Sequence, residues 1–277
     1  MAAHISTVQT SRLRTMVVPR EHGAWGMMLV PLATAAVAAL HSGINAGALI
    51  LFVLAALSLF WLRTSVESWL GTSAIKAHSA EERRHVLRAA IAIGAISLVC
   101  VGALLWSGRN RDLLLIGAVA ALAFAAQAGV KKLGRKGRMP AQIIGAIGLT
   151  STAAGAYYVA TGQFDRTALA LWLANWLFAG DQIHFVQLRI RFSRAQRKLR
   201  VRLPFLLAQM VLIAAIFAAC RFGLLPAAAV LAFVPILLRG TLWFLREQPP
   251  LDVHRLGFTE LAHALIFGAL LSTAFLL

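Results

Sequence analysis

The sequence predicts an all-α integral membrane protein, a bundle of about nine transmembrane helices. Its composition is 60% hydrophobic and only 13% charged. A soluble domain carries roughly 25% charged residues, and so few charges cannot cover a water-exposed surface. The apolar residues also form separate runs near the ~20 residues that a helix needs to cross a bilayer.

The apolar runs are continuous, which favours helices over the alternating pattern of membrane strands. They follow one another along the whole chain after the first 22 residues. The predicted spans are Ala24–Leu40, Ala46–Leu62, Leu87–Trp106, Leu113–Gly129, Ala141–Ala160, Thr167–Leu188, Pro204–Cys220, Leu224–Leu238 and Phe258–Leu277.

The basic residues alternate with these spans. The chain has 27 Lys and Arg against 10 Asp and Glu, a net charge of +17. If every second gap faces the cytoplasm, only Arg109, Arg111, Arg166 and Arg221 fall on the other side. Since basic residues are retained on the cytoplasmic side of membranes, this predicts a cytoplasmic N-terminus and an outer C-terminus. The same placement accounts for the charge without a nucleic-acid partner.

The domain organisation is simple. Residues 1–22 contain no apolar core, so we expect a cytoplasmic N-terminal arm followed by one transmembrane helical domain over residues 23–277. Cys100 and Cys220 fall inside apolar runs and lack the spacing of zinc ligands, which favours buried hydrophobic roles.

Candidate functional residues are the ionisable and polar groups near the ends of spans, because such groups are costly in lipid. All of them lie at predicted cytoplasmic ends, which predicts a polar cavity open to the cytosol. The candidate catalytic residues are Glu67, Asp181 and His184. The candidate substrate-binding residues are Arg20, His22, Trp25, Gln187, Arg189 and Arg191. The candidate metal ligands are Glu21, His22, Asp181, His184, Glu260 and His263.

Each group also has a structural interpretation. The segment Arg20-Glu21-His22 with Trp25 is typical of an interfacial anchor. Glu67 is expected in the loop after the second span, as a solvated charge. A salt bridge to Arg20 or Arg189 would offset the cost of burying an acid in a helix.

Two resemblances follow from these residues. The segment Arg20-Glu21-His22-Gly23-Ala24-Trp25, followed by an apolar run with Pro31, resembles the opening of the YwiC-like family of bacterial membrane proteins. This resemblance implies the bacterial cytoplasmic (inner) membrane.

The helix number and orientation look like those of the UbiA prenyltransferase superfamily. That resemblance implies Mg²⁺ and a prenyl diphosphate held by Asp-rich motifs at the cytoplasmic ends of helices 2 and 6. The sequence departs from both motifs, because residues 63–69 and residues 181–184 each hold one carboxylate, Glu67 and Asp181.

Three functions stay open at this point. The first is a UbiA-like protein that binds a membrane lipid, an isoprenoid diphosphate, with or without prenyl transfer. The second is a metal site, with Mg²⁺ or a transition metal held by the His and carboxylate pairs. The third is a non-enzymatic transporter or scaffold, although transport favours helices broken near the midplane and these spans show few breaks.

Overall fold

A computed structural model describes residues 16–18, 22–71, 77–109, 111–134, 137–193, 198–245 and 251–277. Within these ranges the side chains of His22 and of residues 198–202 are not described. Most of the predicted N-terminal arm, including Arg20 and Glu21, therefore lies outside the described residues.

The described residues fold into nine α-helices and no strands, which confirms the all-α bundle. Two short 3-10 turns lie at Ala39–Ser42 and at Ala227–Ala229. The helices are α1 His22–Ala38, α2 Ala46–Trp69, α3 Ala80–Trp106, α4 Arg111–Lys131, α5 Arg138–Thr161, α6 Arg166–Phe192, α7 Lys198–Arg221, α8 Val230–Leu245 and α9 Val253–Leu276.

Over the described part of the chain, eight of these helices are long and apolar enough to cross a membrane. This confirms a multi-pass membrane protein. The remaining helix, α6, has 27 residues, which is about 40 Å at 1.5 Å per residue and long enough to span. It falls short in hydropathy because its second half is rich in polar side chains.

Several predicted helix boundaries are wrong by five to seven residues, among them two C-terminal ends. Helix α2 continues to Trp69 rather than Leu62, and α8 continues to Leu245 rather than Leu238. Glu67 is consequently inside a helix and not in a loop, and Arg239 is inside α8. Glu67 forms an i, i+4 ion pair with Arg63, at 3.3 Å between Oε1 and Nε, and such pairs support a continuing helix.

The contacts among residues divide the chain into two compact units. One contains α2 and α3, which are joined by a buried hydrogen bond of 2.8 Å from Ser97 Oγ to Ser58 Oγ. The other contains α1 and α4–α9. This division into units does not test the single domain predicted for residues 23–277, which stays a prediction.

Helix α6 is the centre of the second unit. It contacts α1, α5, α7, α8 and α9. Its Phe178 stacks on Phe267 of α9, with ring centroids 4.1 Å apart, and Phe233 of α8 meets the edge of Phe267 at 5.3 Å. Because the neighbours of α6 are protein helices, its polar side chains do not have to face lipid.

The start of α6 provides the first testable prediction. Asp165 caps the helix, since its Oδ1 accepts hydrogen bonds from the backbone N–H groups of Thr167 and Ala168 at 2.9 and 3.1 Å. We expect Asp165→Ala to lower the free energy of unfolding by about 1 kcal/mol, because two N–H groups lose their acceptor. Chemical unfolding in detergent measures this change. Asp165→Asn keeps an acceptor and should lose less; equal losses in the two variants would contradict the capping role.

Candidate functional site

The polar side chains of α6 form hydrogen bonds with side chains of the surrounding helices. Asn175 Nδ2 donates to Thr34 Oγ1 of α1 at 3.2 Å. Gln187 Nε2 donates to Gln142 Oε1 of α5 at 2.9 Å. Asn175 and Gln187 are buried, and buried polar groups require such partners. The polar side chains of α6 thus link it to α1 and α5.

The candidate site is a buried charge cluster of four residues from four helices: Asp181 of α6, Gln209 of α7, Arg239 of α8 and Glu260 of α9. Arg239 Nη2 lies 2.5 Å from Asp181 Oδ2, and Arg239 Nη1 donates to Glu260 Oε2. Gln209 Nε2 donates to the second oxygen of Asp181. One guanidinium therefore holds two carboxylates that are far apart in the sequence.

Burial makes this cluster electrostatically important. Asp181 and Glu260 are only 7% and 6% exposed. The guanidinium carbon of Arg239 lies 4.1 Å from the centroid of the Phe185 ring, an arrangement that stabilises a cation. With two acids and one arginine, the cluster carries one net negative charge. Arg189 is close enough to Glu260 to interact with it electrostatically.

An aromatic layer packs beside the charge cluster. Phe185 and Phe205 lie 5.9 Å apart, and Trp243 meets both rings edge-on at 6.0 Å. These rings are buried with Leu188. They keep water from the guanidinium on this side, so the ion pairs lie in a low-dielectric environment where charges interact more strongly.

Two polar atoms of the cluster are left over. Glu260 Oε1 and Arg239 Nε are buried and have no hydrogen-bond partner among the described residues. The backbone of Glu260 is held independently, because its carbonyl oxygen accepts from Gln182 Nε2 at 2.9 Å. An unsatisfied buried polar atom lowers stability, so a further hydrogen-bond donor would bind favourably to Glu260 Oε1.

The structure brings some of the predicted site residues together. Asp181 and Glu260 share Arg239, and Arg189 interacts electrostatically with Glu260. His184 is half-buried, with its ring 5.7 Å from that of Phe205. Arg191 is exposed near the end of α6.

Other predicted residues are placed elsewhere. His263 Nδ1 lies 2.6 Å from the carbonyl oxygen of Thr259 in its own helix. Glu67 is paired with Arg63 in the other unit, and Trp25 is half-buried on α1. Over the part of the chain that the structure describes, no three His, Cys, Asp or Glu side chains are placed to hold a metal ion. The predicted ligands Glu21 and His22 have side chains outside that part.

Sequence reasoning missed Arg239, Gln209 and Phe185. The predicted end of the eighth span places Arg239 in the following loop, as a charge that sets the topology. A signal was present, because the chain continues with Gly240-Thr241-Leu242-Trp243-Phe244-Leu245, which is apolar enough to extend the helix. A charge with apolar residues on both sides indicates an intramembrane ionisable group.

Comparison with known proteins identifies the family of the first half of the chain. The YwiC-like protein family matches residues 18–158, just over half of the 277 residues. No curated protein matches the sequence. The matched segment ends before α6, so the charge cluster lies beyond it. On this match, the chain belongs to the YwiC-like family.

Proposed function

We propose that this protein resides in the bacterial inner membrane, with a UbiA-like bundle and a cytoplasmic N-terminus, and binds the phosphate group of a lipid. The ligand we favour is an isoprenoid diphosphate. The binding surface is the cytoplasmic end of α6, which carries Arg189 and Arg191. The multi-pass helical structure and the alternating basic residues support this orientation.

One observation carries the proposal: the buried acids Asp181, on α6, and Glu260, on α9, are both paired with Arg239. Residues 189–202 contain seven Arg and Lys and no acidic residue. Arg239 neutralises one of the two negative charges of Asp181 and Glu260, so the seven basic residues of this segment keep most of their positive charge. The forked guanidinium groups of arginine match phosphate oxygens, and a basic segment beside a membrane attracts anionic lipids.

The geometry supports binding better than prenyl transfer. A Mg²⁺ ion needs free carboxylate oxygens together with phosphate oxygens. Both oxygens of Asp181 accept hydrogen bonds, from Gln209 and Arg239, and Glu67 is paired with Arg63. These acids therefore do not fit a Mg²⁺ clamp. Their catalytic role, with His184, stays a prediction, as does the cytosol-facing cavity.

Lipid binding is tested with the double variant Arg189→Gln/Arg191→Gln in lipid nanodiscs. We expect its affinity for a labelled isoprenoid diphosphate to fall at least about tenfold, because two charge-assisted contacts are lost. Binding should weaken with added salt and should persist in a chelator. Arg109→Gln/Arg111→Gln is the matched control, because it removes the same charge from the junction of α3 and α4.

The source of the phosphate is tested with a second lipid. Competition by unlabelled isoprenoid diphosphate but not by phosphatidylglycerol would identify a specific headgroup site. Equal competition by both lipids would reduce the proposal to general attraction to anionic membranes. Unchanged affinity in the Arg189/Arg191 variant would refute it.

The transporter alternative is favoured by a different observation. Ionisable residues inside helices of membrane proteins mark ion and substrate pathways, and the charge cluster lies inside α6, α8 and α9. This alternative does not need the basic end of α6. Solute flux into proteoliposomes that is lost in Glu260→Gln but kept in the Arg189/Arg191 variant would favour transport over lipid binding. For a scaffold, these substitutions should change neither the affinity for the lipid nor the flux of solute.

A further inference from the structure

The charge cluster has the construction of a cation-binding site. Asp181 supplies a carboxylate oxygen 2.5 Å from a guanidinium nitrogen, and Glu260 supplies another from a different helix. Phe185 supplies an aromatic face 4.1 Å from the guanidinium carbon. Two buried carboxylates with an aromatic face are the groups that recognise guanidinium and ammonium ions. In this conformation the cation is the side chain of Arg239.

Arg239 leaves part of this binding capacity unused. Glu260 Oε1 is buried and, among the residues that the structure describes, accepts no hydrogen bond. With its Nε unpartnered as well, Arg239 uses only its two terminal nitrogens. A free cation is not held by a helix backbone, so it can orient all its donors toward the two carboxylates.

The geometry points to a binding site, formed by Asp181, Glu260 and Phe185, for a small organic cation of the guanidinium or primary ammonium class. Arg239 occupies this site as a tethered competitor. The inference goes beyond lipid binding, because the ligand has the opposite charge and the residues are different. A small organic cation is also a substrate class that fits the transporter alternative. The binding site itself does not require that the protein transports the cation.

The test uses the purified full-length protein in detergent and methylguanidinium as the probe, with sodium chloride at equal ionic strength as the reference. We expect the wild type to bind the probe weakly and Arg239→Ala to bind it at least tenfold more tightly. Binding to Arg239→Ala should be saturable and should raise its melting temperature, as for any ligand specific to the folded state. Adding Glu260→Gln or Asp181→Asn to Arg239→Ala should abolish this binding.

Arg221→Ala, at the exposed end of α7, is the matched control and should bind the probe as the wild type does. Arg239→Ser is a second variant in case the alanine variant does not fold. If neither folds, weak binding to the wild type that disappears in Glu260→Gln supports the site. No binding to a folded Arg239 variant, or binding to it that survives Glu260→Gln, would overturn the inference; if neither Arg239 variant folds, no binding to the wild type would overturn it.

Discussion

Replacing Arg239 with alanine is expected to lower the free energy of unfolding by about 3–5 kcal/mol, the largest effect of any single substitution considered for this chain. The variant leaves two carboxylates buried beside each other without a counterion. Both are more than nine-tenths buried, so bulk water solvates them poorly once the guanidinium is gone. Chemical unfolding of the purified protein in detergent measures the change.

Two comparisons separate the effect of unpaired buried charges on stability from the effect of losing any arginine. Arg221→Ala, at an exposed position, should change stability by less than about 0.5 kcal/mol. Adding Asp181→Asn and Glu260→Gln to Arg239→Ala should recover most of the loss, because the acids then carry no charge. An Arg239→Ala protein as stable as the wild type would show that the cluster does not hold these helices together.

Gly145→Ala is expected to lower the free energy of unfolding by about 1 kcal/mol, because the Gln127 side chain of α4 packs directly against this glycine of α5. A Cβ atom there would lie 2.5 Å from Nε2 and 2.7 Å from Cδ of Gln127, distances that force a shift. Gln127 is itself buried, so its side chain has little room to move away. Chemical unfolding of the purified variant in detergent measures this change.

Gly117→Ala on α4 is the matched control, because a Cβ atom at that position meets nothing within 4 Å. It should raise the free energy of unfolding by about 0.5–1 kcal/mol, because alanine is favoured over glycine inside a helix. Adding Gln127→Ala to Gly145→Ala should make room for the new methyl group, so the double variant should be more stable than Gly145→Ala alone. Equal stability of the two glycine variants would contradict the close packing of α4 on α5.

Composition and run length were sufficient to predict the helical class and the order of the helices. The errors arose where a charge lies inside a helix. The predicted spans leave Arg63 and Arg239 in loops, whereas each is paired with a carboxylate that allows the helix to continue. A sequence shows where a charge lies but not its partner. The i, i+4 pair of Arg63 and Glu67 was visible in the spacing; the pairing of Arg239 was not.

The candidate site was predicted in part. The cost of burying an acid in a membrane helix correctly singled out Asp181 and Glu260 as residues that need a partner. The expected partners were Arg20 or Arg189, but both acids pair with Arg239. Gln209 is one of many polar residues in apolar runs, and only the packing of α7 on α6 brings it to Asp181. The polar residues of α6 are explained by its contacts with five other helices, and the sequence does not show these contacts.

The most direct test of the account is a double-mutant cycle between Arg239 and Glu260. The free energy of unfolding is measured for the wild type, Arg239→Gln, Glu260→Gln and the double variant in the same detergent. Direct contact predicts that the effects of the two single substitutions do not add, with a coupling free energy of about 1–3 kcal/mol. If the two effects add within about 0.5 kcal/mol, the two side chains do not interact and the charge cluster is not the core of this protein.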